Sequence, residues 1–320
     1  MYKIDKLDRK ILYELDLNAR QPFSQLAKKV RSSKQVVAYR VNRMVERGII
    51  TGFFTAIDQS KLGYFSFRVY IKLRNISPEK HQEMVEYLNQ DKDIWWFLTV
   101  EETWDIDFVI LVREVFDYYK IWERFLARFK QYVHKYETVV YSHIQGFPKS
   151  YLIGKKNTQQ GFLISFDRQF EKIDKLDVDI LKALSENARM ELVELAQKTR
   201  AAVKTVMQRV RSLERRKIIA GYRALINGGS IGYRHYKIVS YLLDTKRIPA
   251  MQAWAFEHPN IPYLNKTIGG GDFEIEVTVQ THEEFIRILD EFKALFHQSI
   301  DHYYYFWVVN EYKMVYYPTQ

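Results

Sequence analysis

The sequence predicts an α+β protein in which a winged helix-turn-helix domain and a ferredoxin-like (βαββαβ) sandwich domain occur as a tandem duplication. Three observations support this prediction. "KIDKLD" occurs at residues 3–8 and again at 172–177, and a shift of 169 residues aligns about 26 identical positions between residues 3 and 64. Each copy begins with three short segments of helical periodicity. Each copy then continues with alternating strand and helix patterns, which indicates a duplicated domain rather than a short-period repeat.

The first three segments of each copy have the lengths and spacing of a helix-turn-helix. In copy one, "LDRKILYELDLNA" places its apolar residues at helical intervals, and Asp5 is positioned to cap its start. "PFSQLAKKV" is a short second helix, "RSS" is a tight turn, and "KQVVAYRVNRMVERG" is a third helix. "IITGFFTAID" has the content of a strand and is predicted to be the wing or hinge. We therefore predict winged helix-turn-helix domains at residues 1–60 and 172–229.

From residue 65 the pattern changes to strands and helices in the order β-α-β-β-α-β. In copy one the strands are "FSFRVYIKLRNI", "IWWFLTVEE", "DIDFVILVRE" and "YETVVYSHIQGF", with "SPEKHQEMVEYLNQ" and "FDYYKIWERFLARFKQYV" as helices. Copy two repeats this order and ends in "HYYYFWVVNEYKMVYY", which is apolar on both faces, as in a strand covered on both sides. We predict sandwich domains at residues 61–147 and 230–320. Residues 148–171 are predicted to be a linker that lets the two halves dock.

Charge and composition favour a partner with negative charge. The net charge is +10; residues 1–52 hold 12 Lys and Arg against 5 Asp and Glu, and residues 172–221 hold 12 against 7. The basic charge is therefore confined to the two helix-turn-helix segments, which is typical of a polyanion binder, although a solvated basic surface is the alternative. The absence of cysteine excludes disulfides and thiolate metal sites and favours a cytoplasmic location. The sequence contains no run of about 18 apolar residues, so no membrane span is predicted.

The third helix of each copy carries the residue types that read DNA. Amide and guanidinium groups suit base edges, and cations suit phosphates. An amphipathic helix with a solvated polar face is the alternative, but it explains neither the duplication nor the confined charge. The two helices have diverged, since Tyr39 aligns with Gln208 and Asn42 with Arg211. The predicted DNA-binding residues are Ser33, Lys34, Gln35, Tyr39, Arg40, Arg43, Lys204, Thr205, Gln208, Arg209 and Arg211.

These motifs resemble the Lrp/AsnC, or feast/famine, family of prokaryotic transcription regulators, present twice in one chain. The resemblance rests on "LDRKILYELDLNARQPFSQLAKKV", "VVAYRVNRMVERGIITGF" and the βαββαβ pattern that follows, and it covers nearly the whole chain. It implies that the winged helix-turn-helix domains bind double-stranded DNA. It also implies that the sandwich domains dimerise and often bind an amino acid near the subunit interface.

The resemblance further implies an effector site at the turn between the second and third strands of the sandwich domain, which in this family usually carries a glycine followed by an aspartate. Copy one has Glu102 at the expected glycine, whereas copy two has three glycines whose backbone N–H groups can approach a carboxylate closely. A glycine-rich hairpin turn without a ligand is the alternative. The candidate effector-binding residues are Thr103, Trp104, Asp105, Gly269, Gly270, Gly271 and Asp272.

Two unlike halves in one chain predict an asymmetric operator. A homodimer reads a palindrome because its two recognition helices are identical. If the halves of this chain pair as an intramolecular pseudo-dimer, they should prefer unlike half-sites. Pairing between chains, as a homo-oligomer, is also compatible with the sequence.

Two other functions remain open. Proteins that resemble this family include siroheme decarboxylases, which hold a tetrapyrrole at the interface between two lobes. Such an enzyme would place catalytic histidines in the sandwich domain, but His134, His143, His235, His297 and His302 match no decarboxylase motif. An amino-acid-binding module that acts on partner proteins is the other alternative. The prediction is a regulator rather than an enzyme, with no metal, no catalytic residue and no cofactor beyond a possible amino-acid effector.

Overall fold

The computed structural model describes residues 3–165, 170–315 and 317. Copy one comprises α1 (Lys6–Leu17), α2 (Phe23–Val30), α3 (Lys34–Glu46), β1 (Ile50–Ile57), β2 (Phe65–Leu73), α4 (Pro78–Gln90), β3 (Ile94–Glu102), β4 (Ile106–Val112), α5 (Val115–Phe129) and β5 (Val133–Gly146). The connector contains β6 (Phe162–Ile164). Copy two comprises α6 (Lys175–Glu186), α7 (Leu192–Lys198), α8 (Val203–Arg215), β7 (Ile219–Ile226), β8 (Arg234–Leu242), α9 (Ile248–Glu257), β9 (Tyr263–Ile268), β10 (Phe273–Val279), α10 (His282–Phe296) and β11 (Ile300–Met314). The predicted fold class is confirmed.

The repeated "KIDKLD" forms a capping box at the start of α1 and again at the start of α6. The Asp5 carboxylate accepts hydrogen bonds from the backbone N–H groups of Leu7, at 2.8 Å, and Asp8, at 2.9 Å. The Asp8 carboxylate in turn accepts from the Asp5 N–H at 3.2 Å. Asp174 and Asp177 repeat the arrangement in copy two. Such a cap stabilises a helix by about 1 kcal/mol, which explains a structural role for the repeated hexapeptide.

The two helix-turn-helix domains are joined through their predicted wing strands. β1 and β7 form a two-stranded antiparallel sheet, in which Phe54 lies opposite Arg223. The "NAR" motif adds reciprocal contacts across this junction. The Arg20 guanidinium donates to the carbonyl of Ala188 at 2.6 Å, and Arg189 donates to the carbonyl of Ala19. The structure therefore pairs the halves within one chain and fixes α3 relative to α8.

The two sandwich domains share one closed sheet. Its strand order is β2-β4-β3-β11-β8-β10-β9-β5, and β5 also pairs with β2, so the eight strands close on themselves. β11 joins β8 of its own copy to β3 of copy one, and β9 joins β5. The helices of each sandwich domain pack on the outside of the sheet over two separate apolar cores.

Charged side chains occupy the inside of this closed sheet. The Arg68 guanidinium donates to Asp107 at 2.8 Å, and the Lys237 ammonium lies 2.7 Å from the Glu274 carboxylate. The two ion pairs occupy aligned positions of the two copies and are almost completely buried. Sequence alternation did not reveal them, because each charged residue falls within a mainly apolar strand. Buried charges of this kind persist only when they are paired.

The connector between the two copies is docked on the rest of the protein at both of its ends. Tyr151 and Leu152 pack into the apolar core of the copy-one helix-turn-helix domain. Phe162 and Ile164 pack with Phe54 and Ala56 of β1 in a small core, and β6 pairs with β5. These apolar residues, placed on either side of the polar stretch, anchor the connector to both halves. Residues 166–169, within the predicted linker, lie outside the described part of the chain.

None of the described helices is long and apolar enough to cross a membrane.

Candidate nucleic-acid interface and effector turns

α3 presents one polar face to solvent and buries the other. Val37, Val41 and Met44 lie in the core, and the Ser33 hydroxyl caps the helix by accepting from the N–H of Val36 at 3.2 Å. Ser33 is therefore occupied as the helix cap. The remaining predicted residues at the start of the helix are exposed, and Tyr39 is 63% exposed. The exposed residues of this face are Lys34, Gln35, Val36, Tyr39 and Asn42.

α8 has the same orientation with different chemistry. Val206, Val210 and Leu213 are buried, which places the opposite face in solvent. No side chain caps its start, where Ala202 replaces the serine of copy one. The exposed residues on this face are Val203, Lys204, Thr205, Gln208 and Arg211. Both faces therefore present the mixture of amides, hydroxyls and cations that suits a major groove.

The two predicted contact residues Arg40 and Arg209 are paired within the protein. The Arg40 guanidinium lies 3.0 Å from Asp8 and also contacts Asp5, which raises the pKa of Arg40. Arg209 lies 2.7 Å from Asp174. These ion pairs tie each third helix to the capping box of its first helix. Sequence reasoning missed this role, although the arginine is identical in both copies, as are its carboxylate partners.

The two exposed faces are unlike at the centre of the helix. A tyrosine ring in copy one is replaced in copy two by an amide, and an amide in copy one is replaced by a guanidinium. Such groups recognise different base edges, because amides pair with adenine whereas guanidinium groups pair with guanine. The aligned pairs are Tyr39 with Gln208, Asn42 with Arg211, and Arg43 with Ser212.

The candidate effector turn of copy one is filled by its own side chains. Glu102 has φ of 88°, the left-handed conformation for which glycine is usual. Trp104 is 1% exposed and packs against Tyr70 and Tyr304, with ring centroids 5.8 and 6.2 Å away. Asp105 accepts the N–H of Leu73 at 2.7 Å. This turn is thus braced by internal contacts.

Next to this turn lies a shallow depression of about 350 Å³. It is lined by Glu102 and Thr103 of copy one and by three tyrosines at positions 303–305 of copy two. The Thr103 hydroxyl donates to the carbonyl of Tyr305 at 2.9 Å, so the two copies meet there. The Glu102 carboxylate and the three tyrosines that line the depression suit a ligand with a cationic group better than one with a carboxylate.

The glycines of the copy-two turn have structural reasons. Gly269 has φ of 87°, and Asp272 accepts the N–H of Leu242 at 2.8 Å, as Asp105 does in copy one. A Cβ on Gly270 would lie 2.5 Å from the Thr267 hydroxyl, too close for any side chain. Gly271 is similarly crowded. Backbone conformation and packing thus explain these glycines, and their assignment to effector binding stays a prediction.

A buried ionic cluster in the hinge between the halves was not found from the sequence. Asp16 of α1 is 1% exposed; it accepts from the Arg223 Nε at 2.9 Å and from the Lys149 Nζ at 2.8 Å. Burial alone would raise the pKa of Asp16, but the two cations hold it at about 2. Its three members come from copy one, the connector and copy two. Only tertiary structure brings such residues together.

Comparison with known proteins supports the duplicated unit. A family model described as winged helix-turn-helix DNA-binding matches residues 4–51 and 173–220. The regulator LrpA of Pyrococcus horikoshii is 40% identical over 87 residues, which cover 27% of this chain and 60% of that protein. An uncharacterised HTH-type transcriptional regulator of the same organism is 32% identical over 105 residues, covering 32% of this chain and 69% of that protein. The chain spans only about half the length of the first curated relatives that it matches.

The whole chain resembles solved structures of an enzyme. The siroheme decarboxylase NirDL matches 98% of this chain and 94% of its own, with a TM-score of 0.64 and 15% identity. The prediction that the chain is not an enzyme is therefore wrong: an enzyme has this fold over the whole length of the chain, so enzymatic activity is not excluded. At that identity the likeness shows the fold alone. The sequence relatives and the two matched segments show the family: the chain belongs to the Lrp/AsnC family and carries the family's unit as two tandem copies.

Proposed function

We propose that the chain is a cytoplasmic, sequence-specific DNA-binding transcription regulator whose two halves act as a pseudo-dimer on an asymmetric operator. One observation carries the proposal: α3 and α8 present exposed polar faces of unlike chemistry from two helix-turn-helix domains that are joined by β1 and β7. A joined pair with fixed geometry can place two recognition helices in successive major grooves. Unlike faces then require unlike half-sites.

The residues of each face have separate roles in this mechanism. Lys34 and Lys204, at the starts of the two helices, neutralise phosphates, and Gln35 and Gln208 are positioned for base edges. Arg40 and Arg209 act by positioning the helix, because their guanidinium groups are held by the capping-box carboxylates. The pairing of β1 with β7 fixes the position of α3 relative to α8, and so sets the spacing of the two helices on DNA. The side chains that contact base edges then select the DNA sequence.

DNA binding should weaken steeply as salt concentration rises. Each neutralised phosphate contributes about −0.9 to the slope of log affinity against log salt concentration, so six or more contacts cost at least about a thousandfold in affinity between 50 and 200 mM salt. We would measure fluorescence anisotropy with a labelled pool of random-sequence duplexes of about 40 base pairs, long enough for two half-sites about one helical turn apart.

Two variants give matched controls for this measurement. Lys34→Ala and Lys204→Ala should each reduce the magnitude of the salt slope by about 1. Lys155→Ala changes an exposed lysine of the connector and should leave the slope unchanged. An affinity that does not depend on salt, or an absence of binding at 50 mM salt, would contradict the proposal.

A tetrapyrrole enzyme is the second candidate, and the end-to-end structural likeness to NirDL favours it. The inside of the closed sheet offers such a ligand no space in this structure, because Arg68, Tyr70, Trp104 and Phe306 fill it. A tetrapyrrole would have to bind elsewhere or displace these side chains. Absorbance titration with siroheme distinguishes the two functions: a saturable shift of the absorption maximum at stoichiometric protein would favour the enzyme.

A further inference from the structure

We propose that the interface between the two halves is built for the unlike pair, so that a copy-one half associates with a copy-two half and rejects a second half of its own kind. The proposal does not depend on DNA binding. It rests on buried charges that gain a partner from the other copy only when the two kinds of half meet. Two separate regions of the interface show this asymmetry: the hinge between β1 and β7, and the inside of the closed sheet.

In the hinge, one pair of aligned positions carries different residues at the centre of the interface. Phe54 and Arg223 are equivalent under the 169-residue shift, and they lie opposite each other in the β1–β7 pair. The Arg223 side chain is buried, with its guanidinium bound to Asp16 and to the carbonyl of Phe147, the latter at 2.8 Å. The position equivalent to Asp16 in copy two is Ser185. The ion pair therefore forms once, from one residue of each copy.

Pairing of like halves would remove the ion pair between Asp16 and Arg223. Two copy-two halves would bring two Arg223 side chains face to face, each with a serine in place of Asp16. Two copy-one halves would bury two Asp16 carboxylates opposite phenylalanine, each with Lys149 as its one remaining cation. A buried charge that loses a partner is strongly destabilising, and like charges in contact are more so. Both like pairs are thus disfavoured, for different reasons.

The inside of the closed sheet repeats the asymmetry. The Arg68 guanidinium of copy one lies 3.6 Å from the Glu276 carboxylate of copy two, which also contacts the His235 ring at 2.9 Å. Glu276 is equivalent to Val109 under the β-strand alignment, and His235 to Ser66. The contact between copies therefore has no counterpart in the reverse direction.

The charge balance inside the sheet follows from these positions. A copy-two pair would enclose four carboxylates, two each from positions 274 and 276, against two Lys237 ammonium groups. Burial alone would raise the pKa of Glu276, but His235, Arg68 and Lys237 lower it to about 2 in the observed pair. A copy-two pair lacks Arg68, so fewer positive charges would offset the cost of burying the Glu276 carboxylate. The observed unlike pair encloses Arg68 and Lys237 with three carboxylates, at positions 107, 274 and 276, so the interior of the sheet disfavours the copy-two pair.

This complementarity keeps one recognition helix of each kind in every unit. Specificity of this kind requires unfavourable alternatives as well as a favourable target. The hinge and the interior of the sheet supply such alternatives.

The test uses the full chain cut once in its exposed connector. A protease site introduced at residues 158–160, which are exposed, leaves the docked residues Tyr151, Leu152 and Asn157 on the first half. Unlabelled and ¹⁵N-labelled cut proteins are mixed, unfolded in urea, refolded together and analysed by native mass spectrometry. We expect pairs of one first half with one second half, in all isotopic combinations, with like pairs at least tenfold less abundant.

A symmetrised variant provides the comparison. Asp16→Ser with Arg223→Phe gives each copy the residue that the other copy holds at the equivalent position, and like pairs should then increase at least tenfold relative to the unchanged protein. If that variant does not fold, the unchanged protein alone decides the matter. Like pairs in statistical proportion would overturn the proposal, and so would failure of the unlike pair to re-form.

Discussion

Arg223→Met should lower the free energy of unfolding by about 3–5 kcal/mol, because it leaves the buried Asp16 carboxylate without its main partner. Asp16 is 1% exposed and cannot regain the water that it loses on folding. Lys149 remains, with its Nζ 2.8 Å from one carboxylate oxygen and its backbone N–H 2.9 Å from the other, but the guanidinium of Arg223, which donates to both oxygens, is lost. Urea denaturation at pH 7, monitored by tryptophan fluorescence, measures the change from the shift in midpoint at constant slope.

The triple variant Asp16→Leu, Lys149→Met, Arg223→Met separates the loss of a partner from the loss of the residue. It removes all three charges of the cluster and fills their space with apolar groups, so it should recover most of the stability lost in the single variant. Lys156→Ala, which breaks an ion pair at the surface, is the matched control and should leave the midpoint unchanged. A single variant no less stable than this control would contradict the assignment.

The same cluster makes stability depend on pH. The folded pKa of Asp16 is about 2, below the usual value of 3.8. A depressed carboxylate pKa stabilises the fold above the unfolded value, and this contribution disappears as the pH falls from about 4 towards 2. For Asp16 it amounts to about 2 kcal/mol. The triple variant, which lacks this carboxylate, should therefore lose less free energy of unfolding between pH 4 and pH 2 than the unchanged protein.

Transfer of the central copy-two side chains to α3 should change the DNA that the protein selects. The variant Tyr39→Gln, Asn42→Arg, Arg43→Ser gives the copy-one helix the centre of α8. It leaves the buried residues of the helix and the ion pair between Arg40 and Asp8 intact, so the domain should fold. Each altered base contact is worth about 1–3 kcal/mol, and the affinity for the original operator should fall at least tenfold.

The selected DNA should then approach a palindrome of the copy-two half-site. The reciprocal change in α8, Gln208→Tyr, Arg211→Asn, Ser212→Arg, is the control and should move the consensus towards the copy-one half-site. Selection from a random library, followed by sequencing, reads both outcomes. If both variants recover the same sequences as the unchanged protein, these residues do not read bases.

The parts of the structure that depend on local patterns were predictable from sequence. The capping box at Asp5, the burial of Val37 and Val41, and the order of strands follow from spacing within one segment. The ion pairs of Arg40 and Asp16 were not predictable in that way, because their partners lie 32 and 207 residues away along the chain. The contacts of the connector could not be inferred from its composition, because its centre is polar and the residues that anchor it are few and lie at its ends.

The candidate sites also differ in how far the sequence could predict them. The exposed face of each third helix follows from helical periodicity, so its residues could be named from the sequence. The copy-one turn could not be judged, since the burial of Trp104 depends on Tyr304 of the other copy. The backbone at Glu102 has the same left-handed conformation as Gly269 in copy two. The copy-one turn therefore keeps the backbone of a glycine turn, although its sequence lacks the glycine.

Selection of DNA by the unchanged protein from a random-sequence library tests the central claim most directly. The claim is that two unlike recognition helices, held in one chain, read two unlike half-sites. We predict a bound consensus with two half-sites of different sequence, spaced by about one helical turn. Recovery of perfect palindromes would contradict the account.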